Sequence, residues 1–540
     1  MTSNQPTSTW WKHGVIYQIY PRSFQDSNGD GIGDLRGVVE RLDYLNDGSE
    51  NSLGVDAIWF SPTFPSPMKD FGYDVSDYED VHPDFGDLGD MDRLIKEAHR
   101  RDIRVILDFV PNHTSSEHPW FRESRSSRES PKRDWYVWRD PKEEGSPPNN
   151  WIAAFGGPAW EWDQNTQQYY LHSFLVDQPD LNWRNPQVER AMHNVLRFWM
   201  DRGVDGFRID VMDRIIKDPD LRDNPPERNR RLAAVGGQTL LQKHTQDKDW
   251  PEIMDAVRRI RKLVDEYPDR FTVGEVFGPP ENIVRYYGGE ALDGLHMGFN
   301  FPFVRIWDER WRAGHVRERV DAFEAALPPG GWPNHVFGNH DVDRLISRIN
   351  RDGCGRQRAR VAALMLLTLR GTPFIYYGEE IGMENVEIPE HRLQDPARLY
   401  GRGRDPERTP MQWTRGGGFT NMRPWLPYGD LSVNVEDQAK DPQSLLSLYR
   451  RLIWFRRRSE ALRFGEYAAV EGVPPEVYAY TRTSGDDRLL VVLNFANAPV
   501  EFDLPDDPRV AATLIGTHDA PSASQHVALR PNEGRLLRLA

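Results

Sequence analysis

The sequence predicts an α/β chain: a (β/α)₈ barrel with a subdomain inserted after the third strand and an antiparallel β domain at the C-terminus. Short apolar strand candidates alternate eight times with longer segments whose apolar residues recur at helical spacing. The strands are apolar almost throughout, as a parallel sheet covered on both faces requires. The chain has 540 residues, too many for one simple core. A doubly wound open sheet is the competing arrangement.

Taken in order, the strand candidates are 15–20, 55–60, 103–109, 204–209, 271–274, a weaker one at 292–299, 335–338 and 373–377. Helical spacing marks 91–101, 187–202, 253–266 and 357–369 between them. The gap between Phe109 and Val204 is too long for a single helix, and 113–180 is rich in Trp, Pro, Gly and Asn with little helical periodicity. It reads as the inserted subdomain. A second, polar insertion at 212–250 reads as a lid. Beyond a helical segment at 445–457 the pattern changes to short alternating runs at 477–481, 488–494, 500–504 and 511–515. The expected division is barrel over 1–112, subdomain over 113–180, barrel again over 181–457 and β domain over 458–540.

Composition narrows the function. A net charge of -15 repels nucleic acid and anionic membrane surfaces, so a neutral small molecule is the expected partner. Cys354 is the only cysteine, which excludes a disulfide-stapled scaffold. No apolar run is long enough to span a bilayer, and the first ten residues lack a basic start followed by an apolar stretch. A cytoplasmic location and a monomer or weak oligomer are expected.

Two strand candidates end in single carboxyl groups, Asp210 and Glu275. A glycoside hydrolase needs such a pair: one carboxylate attacks or balances the cationic anomeric carbon, and one protonated carboxyl donates to the departing oxygen. Side chains alternate along a strand, so Arg208 and Asp210 share a face, and the arginine is expected to keep Asp210 ionised as the nucleophile. Partial burial raises a carboxyl pKa, which suits Glu275 to the general-acid role. Three further polar clusters fall at strand ends: Asp108 with Asn112 and His113, then Asn339, His340 and Asp341, then Asp70 with Tyr73 and Asp74. In a (β/α)₈ barrel these ends open on one face.

A loop after the first strand, Asp26-Ser-Asn-Gly-Asp-Gly-Ile-Gly-Asp34, carries oxygen side chains at positions one, three, five and nine. With a turn glycine at six and a carbonyl at seven, it fits a calcium loop whose ligands are Asp26, Asn28, Asp30, Ile32 and Asp34. Position twelve is Gly37, so the bidentate acid of an EF-hand is missing, and a set of Asx turns is the structural alternative. Such an ion is structural, lying away from the chemistry.

The motifs Asp108-Phe-Val-Pro-Asn-His113, Gly206-Phe-Arg-Ile-Asp-Val211, Gly274-Glu-Val276 and Phe337-Gly-Asn-His-Asp341 stand in this order. With Gly54 to Trp59, Gln178 to Asn182 and Gly371 to Glu380, they make a chain that resembles the α-amylase family of glycoside hydrolases from Trp10 to the C-terminus. Trp10-Trp11, the stretch Tyr17 to Phe24 and Arg408-Thr-Pro-Met-Gln-Trp413 resemble the α-glucosidase and oligo-1,6-glucosidase branch. The resemblance implies a retaining, exo-acting enzyme with Asp210 as nucleophile, Glu275 as acid/base and Asp341 as the third carboxylate. It implies a glucose pocket lined by Asp70, Tyr73, His113, Phe174, Arg208, His340 and Arg408, with Tyr73 as stacking platform, and a calcium in the loop above. Val211, following the nucleophile, goes with α-1,6 cleavage in this branch, whereas the polar insertion after Met212 is similar to that of α-1,4-preferring members; the balance leans to α-1,6. The charged loop of sucrose isomerases is absent from 300–307. The alternatives are a transglycosylating or α-1,4-preferring α-glucosidase, a sucrose- or trehalose-acting relative, and a catalytically silent binding subunit. The last generally lacks a carboxylate or carries a membrane anchor.

Overall fold

The computed structural model describes residues 9–227, 241–399, 403–505, 509–518 and 525–540. The expected lid therefore lies partly outside the described residues, at 228–240, as do residues 1–8 of the leader reading. Strands β1 (Ile16–Ile19), β2 (Ala57–Phe60) and β3 (Arg104–Phe109) pair in parallel. The chain then leaves the barrel and builds a small antiparallel sheet from β4 (Trp138–Arg139), β5 (Trp160–Asp163) and β6 (Gln168–Leu171). It returns through the helix Pro186–Asp201 to β7 (Gly206–Ile209), β8 (Phe271–Gly274), β9 (Met297–Gly298), β10 (Asn334–Val336) and β11 (Thr372–Tyr376).

The order β10-β11-β1-β2-β3-β7-β8-β9 follows the chain around a ring, without the reversal of a doubly wound sheet. The seam between β9 and β10 has no strand ladder, and a side chain closes it. Asn334 donates from Nδ2 to the Gly298 carbonyl at 2.7 Å and accepts the Asn300 amide on Oδ1 at 3.1 Å.

Local chemistry sets the element ends. The helix Leu88–His99 begins earlier than its apolar spacing suggests because Asp87 and Asp90 form a capping box. β9 is shorter than the expected 292–299: Leu292 sits at φ 49, and a Cβ on Gly294 would meet the Tyr286 carbonyl at 2.2 Å, so this tight turn cannot be extended strand. Along the barrel strands alternate residues divide between two cores. Ile16, Ala57, Trp59, Ile106, Phe271 and Val273 fill the interior, whereas Tyr17, Ile58, Leu107, Phe207 and Ile209 face the helices. Hence the polar residues on the inner face, Gln18, Asp108 and Arg208, stack above an apolar floor.

The C-terminal strands are β12 (Glu466–Ala469), β13 (Val477–Ser484), β14 (Asp487–Asn494), β15 (Val500–Asp503), β16 (Val510–Gly516), β17 (His526–Leu529) and β18 (Gly534–Leu539). They form an antiparallel sheet ordered β12-β13-β14-β18-β16 and a separate β15-β17 pair. Tyr480 hydrogen-bonds Thr368 at 2.6 Å and Arg482 donates to the Thr368 carbonyl at 2.7 Å, which ties this sheet to the end of the helix Gly355–Thr368. That helix is buried nearly all round, explaining its weak amphipathicity. Among the described residues no helix is long and apolar enough to cross a membrane.

Candidate active site

Register places the first charged layer. Asp108 on β3 lies beside Arg208 on β7, and β7 lies beside β8, after which Glu275 follows. Arg208 is 1% exposed. Its Nη1 donates to Asp108 Oδ1 at 2.8 Å and to Asp210 Oδ1 at 2.7 Å, while Nη2 donates to Glu275 Oε2 at 2.6 Å. Asp210 and Glu275 are therefore neighbours held by one guanidinium. Its single charge is divided among three acids, so it cannot by itself hold Asp210 low, as its place beside Asp210 on one strand face suggested. Burial pushes Asp210 and Glu275 upward, with Arg208 opposing. Burial therefore disfavours charge on both carboxyls, the direction that a proton donor working near neutral pH requires.

Val211 donates its backbone N–H to Glu275 Oε2 at 3.3 Å and sits at φ 34, ψ 48. A β-branched residue in the left-handed region costs on the order of 1–3 kcal/mol, strain of the kind concentrated at functional sites. It is spent where the chain turns between the two acids.

A second layer surrounds Asp341. Arg404 Nη1 and Arg408 Nη2 donate to its Oδ1 at 3.0 and 2.9 Å. Burial opposes its charge, yet it is held well below the usual carboxylate range. His340 is itself pushed down to about 3, chiefly by burial, and is neutral at pH 7; the two arginines are what keep Asp341 ionised. Gln18 donates to His340 Nδ1 at 2.8 Å, so Nε2–H points to Tyr73 Oη at 2.7 Å, and the tyrosine hydroxyl donates to Asp108 Oδ2 at 3.0 Å. Tyr73 and His340 stack 5.4 Å apart with nearly parallel planes. Gln18 and this chain of contacts link the two charged layers. Asp70 accepts from Arg404 at 2.6 Å and Gln178 at 3.1 Å, and Gln178 reaches His113 at 3.1 Å. Burial lowers His113 to about 4, so it is a neutral partner there.

These groups bound a cavity of about 390 Å³ at the C-terminal ends of the strands, lined by Asp70, Tyr73, His113, Phe174, Asp210, Val211, Glu275, Asn339, Asp341 and Arg404. Phe155, Phe277 and Phe301 add apolar wall, and Arg214 and Arg305 line it too. Arg208, His340 and Arg408, expected on the wall, stand behind it at 1, 0 and 1% exposure, where they hold the acids. Arg404 occupies the wall position expected of Arg408. It was missed because 395–404 has no periodicity and carries three arginines, at 398, 402 and 404, that sequence alone does not rank. Gln178 stood in a recognised motif without a role; the three phenylalanines carried no distinguishing signal.

In the loop proposed for calcium, Asp26 accepts the amides of Asn28, Gly29 and Gly31 at 2.7–3.0 Å, and Asp34 accepts those of Ser27 and Gly37 at 2.8 and 2.7 Å. The loop is thus closed by Asx turns, and among the described residues no three His, Cys, Asp or Glu side chains converge as a metal cage. The donor set still fits a hard cation: all five groups are oxygens, and a carboxylate can accept more bonds than one amide uses.

Comparison with known proteins matches residues 18–465 to the alpha amylase catalytic domain and residues 467–535 to the maltogenic amylase C-terminal domain. An oligo-1,6-glucosidase of Parageobacillus thermoglucosidasius is 39% identical, covering 98% of this chain and 99% of that protein. A probable alpha-glucosidase of Rhizobium meliloti (strain 1021) is 45% identical over 94% of each chain. The crystal structure of an alpha-glucosyl transfer enzyme, XgtA, superposes with a TM-score of 0.90 at 39% identity, covering 99% of this chain and 100% of that one.

Proposed function

This chain belongs to the α-amylase family of glycoside hydrolases, and from that premise we propose that it is a retaining, exo-acting α-glucosidase that releases glucose from the non-reducing end of short α-glucosides. The observation that carries the proposal is the pair Asp210 and Glu275, bridged from behind by Arg208, on the wall of a 390 Å³ cavity, a volume suited to a small sugar rather than a polymer groove. Asp210 attacks the anomeric carbon as a proton passes from Glu275 to the departing oxygen. Glu275, then ionised, takes a proton from water, which opens the glucosyl ester. Asp341, ionised between Arg404 and Arg408, accepts sugar hydroxyls and favours the positively charged transition state. Asp70, His113 and Arg404 bind the remaining hydroxyls, and Tyr73 offers its face.

For the linkage we favour α-1,6, on Val211 and on the likeness to an oligo-1,6-glucosidase. Glucosyl transfer is the second reading, favoured by the likeness to XgtA and by the apolar wall of Phe155, Phe277 and Phe301, which would retain an acceptor against water. In the loop 26–34, Ca²⁺ held by Asp26, Asn28, Asp30, the Ile32 carbonyl and Asp34 would brace the segment against 419–425, where Thr420 Oγ1 meets Asp26 Oδ2 at 2.5 Å. We place the enzyme in the cytoplasm. Incubation with isomaltose, maltose, sucrose and trehalose, with products resolved, tests the reading: isomaltose cleaved fastest to glucose supports it, and no cleavage of any of the four overturns it.

A further inference from the structure

A second cavity of about 180 Å³ opens beside the first on the same face of the barrel, between the segments that follow β8 and β9. Phe277, Phe301 and Arg305 line both cavities, so the two are adjoining compartments. The smaller one has an unusual charge. Arg305, Arg310, Arg319 and His315 line it, and among the described residues no acidic one does. Among the described residues none of the three guanidiniums makes an ion pair, although the nearby acid Asp308 does, pairing with Arg358 at 2.6 Å. Like charges repel, and the acidic group that acts on the cluster, Glu318 on His315, stands outside the lining, although a chain of net charge -15 could easily supply an acidic partner within it. The cations instead converge on a concavity walled by Val276, Ile283 and Phe301; Arg305 and Arg310 are exposed and Arg319 is half-buried, so their pull on an anion is of the salt-sensitive kind.

We propose that this basic annex receives an anionic group, phosphate or carboxylate, carried by the aglycone half of the substrate, so that the preferred substrates are anionic α-glucosides. The inference rests on the α-glucosidase reading, since it names what occupies the space beyond the cleaved bond. The glucosyl unit sits against Asp70, Tyr73 and Asp341, the scissile oxygen at Glu275, and the departing half extends past Phe277 and Phe301 to Arg305. Guanidinium forks match the paired oxygens of either group.

Two matched pairs of compounds test it on the full chain: trehalose against trehalose 6-phosphate, and glucosylglycerol against glucosylglycerate. A charged hydrogen bond of ordinary strength predicts kcat/KM about tenfold or more higher for the anionic member of a pair. A gain in the first pair alone identifies phosphate, in the second alone carboxylate, and each supports the annex. Arg319→Gln and Arg310→Gln should each lower the anionic-to-neutral ratio, and 0.5 M salt, roughly the regime in which exposed charges are screened, should compress it. Equal turnover of both members of both pairs, with neutral α-glucosides cleaved, overturns the annex and leaves the glycosidase reading intact; so does a ratio insensitive to both variants. Failure to cleave any α-glucoside overturns both readings.

Discussion

Replacing Arg404 by glutamine is the perturbation that bears most on how the site is held. The arginine's side chain is 13% exposed and its guanidinium reaches Asp70 at 2.6 Å, Asp341 at 3.0 Å and Asp395 at 2.8 Å. After the change Asp341 keeps Arg408 at 2.9 Å, but Asp70 keeps only Gln178 at 3.1 Å. A hydrogen bond to a charged group is worth about 1.5–3 kcal/mol, so losing one that acts on the transition state should lower kcat/KM by about 10- to 150-fold. Removing a cation raises the pKa of Asp341. The form needed for turnover is the ionised one, so activity lost as pH falls should be lost at a higher pH than in the parent. Arg404→Lys restores charge without the fork and should fall between the two. Initial rates on 4-nitrophenyl α-glucoside across pH measure both effects. A kcat/KM within about threefold of the parent, with an unmoved acid limb, would refute the view that Arg404 holds these acids.

Other consequences are as direct. Glu275→Gln should lose turnover of disaccharides but release a fast first equivalent of fluoride from α-glucosyl fluoride, whose leaving group needs no proton, before stalling at the glucosyl ester, whereas Asp210→Asn should show no such burst; no burst from either variant would contradict the assigned roles. Because burial raises the Glu275 carboxyl above 4.5 and its protonated form is needed, the parent should lose kcat/KM as pH rises through that raised value, and a base limb at or below 4.5 would count against it. If Ca²⁺ fills the loop 26–34 at about a hundred times its Kd, chelation should remove about 2.7 kcal/mol of stability, read as a lower Tm, with kcat at low temperature kept; Asp30→Asn should make Tm insensitive to chelator, and a parent Tm unmoved by EDTA would exclude the ion. Val211→Ala should shift the isomaltose-to-maltose ratio of kcat/KM toward maltose by about tenfold, and an unchanged ratio would remove Val211 as the determinant of linkage.

Much of the fold was legible because a barrel strand announces itself: short apolar runs such as 55–60 and 271–274 have only one place to be buried on both faces. β9 was read too long because the apolar residues Leu292 and Leu295 flank a glycine turn instead of lying on a strand. At the site, the residues on strands were readable from alternation, as with Arg208 and Asp210. Residues on long irregular segments were not. Arg404 and Arg408 lie in one turn-rich stretch, and which of them reaches the cavity is decided by how that stretch packs on Asp341, a tertiary fact without a sequence period. The electrostatics were misread for a related reason. Pairing Arg208 with Asp210 alone overlooked Asp108 and Glu275, which come from other strands and compete for the same charge.

The configuration of the first sugar released tests the central claim most directly. Hydrolysis of an α-glucoside followed by proton NMR within the first minutes, before mutarotation, distinguishes the anomers. Double displacement through Asp210 gives α-glucose first; β-glucose as the first product would rule that mechanism out.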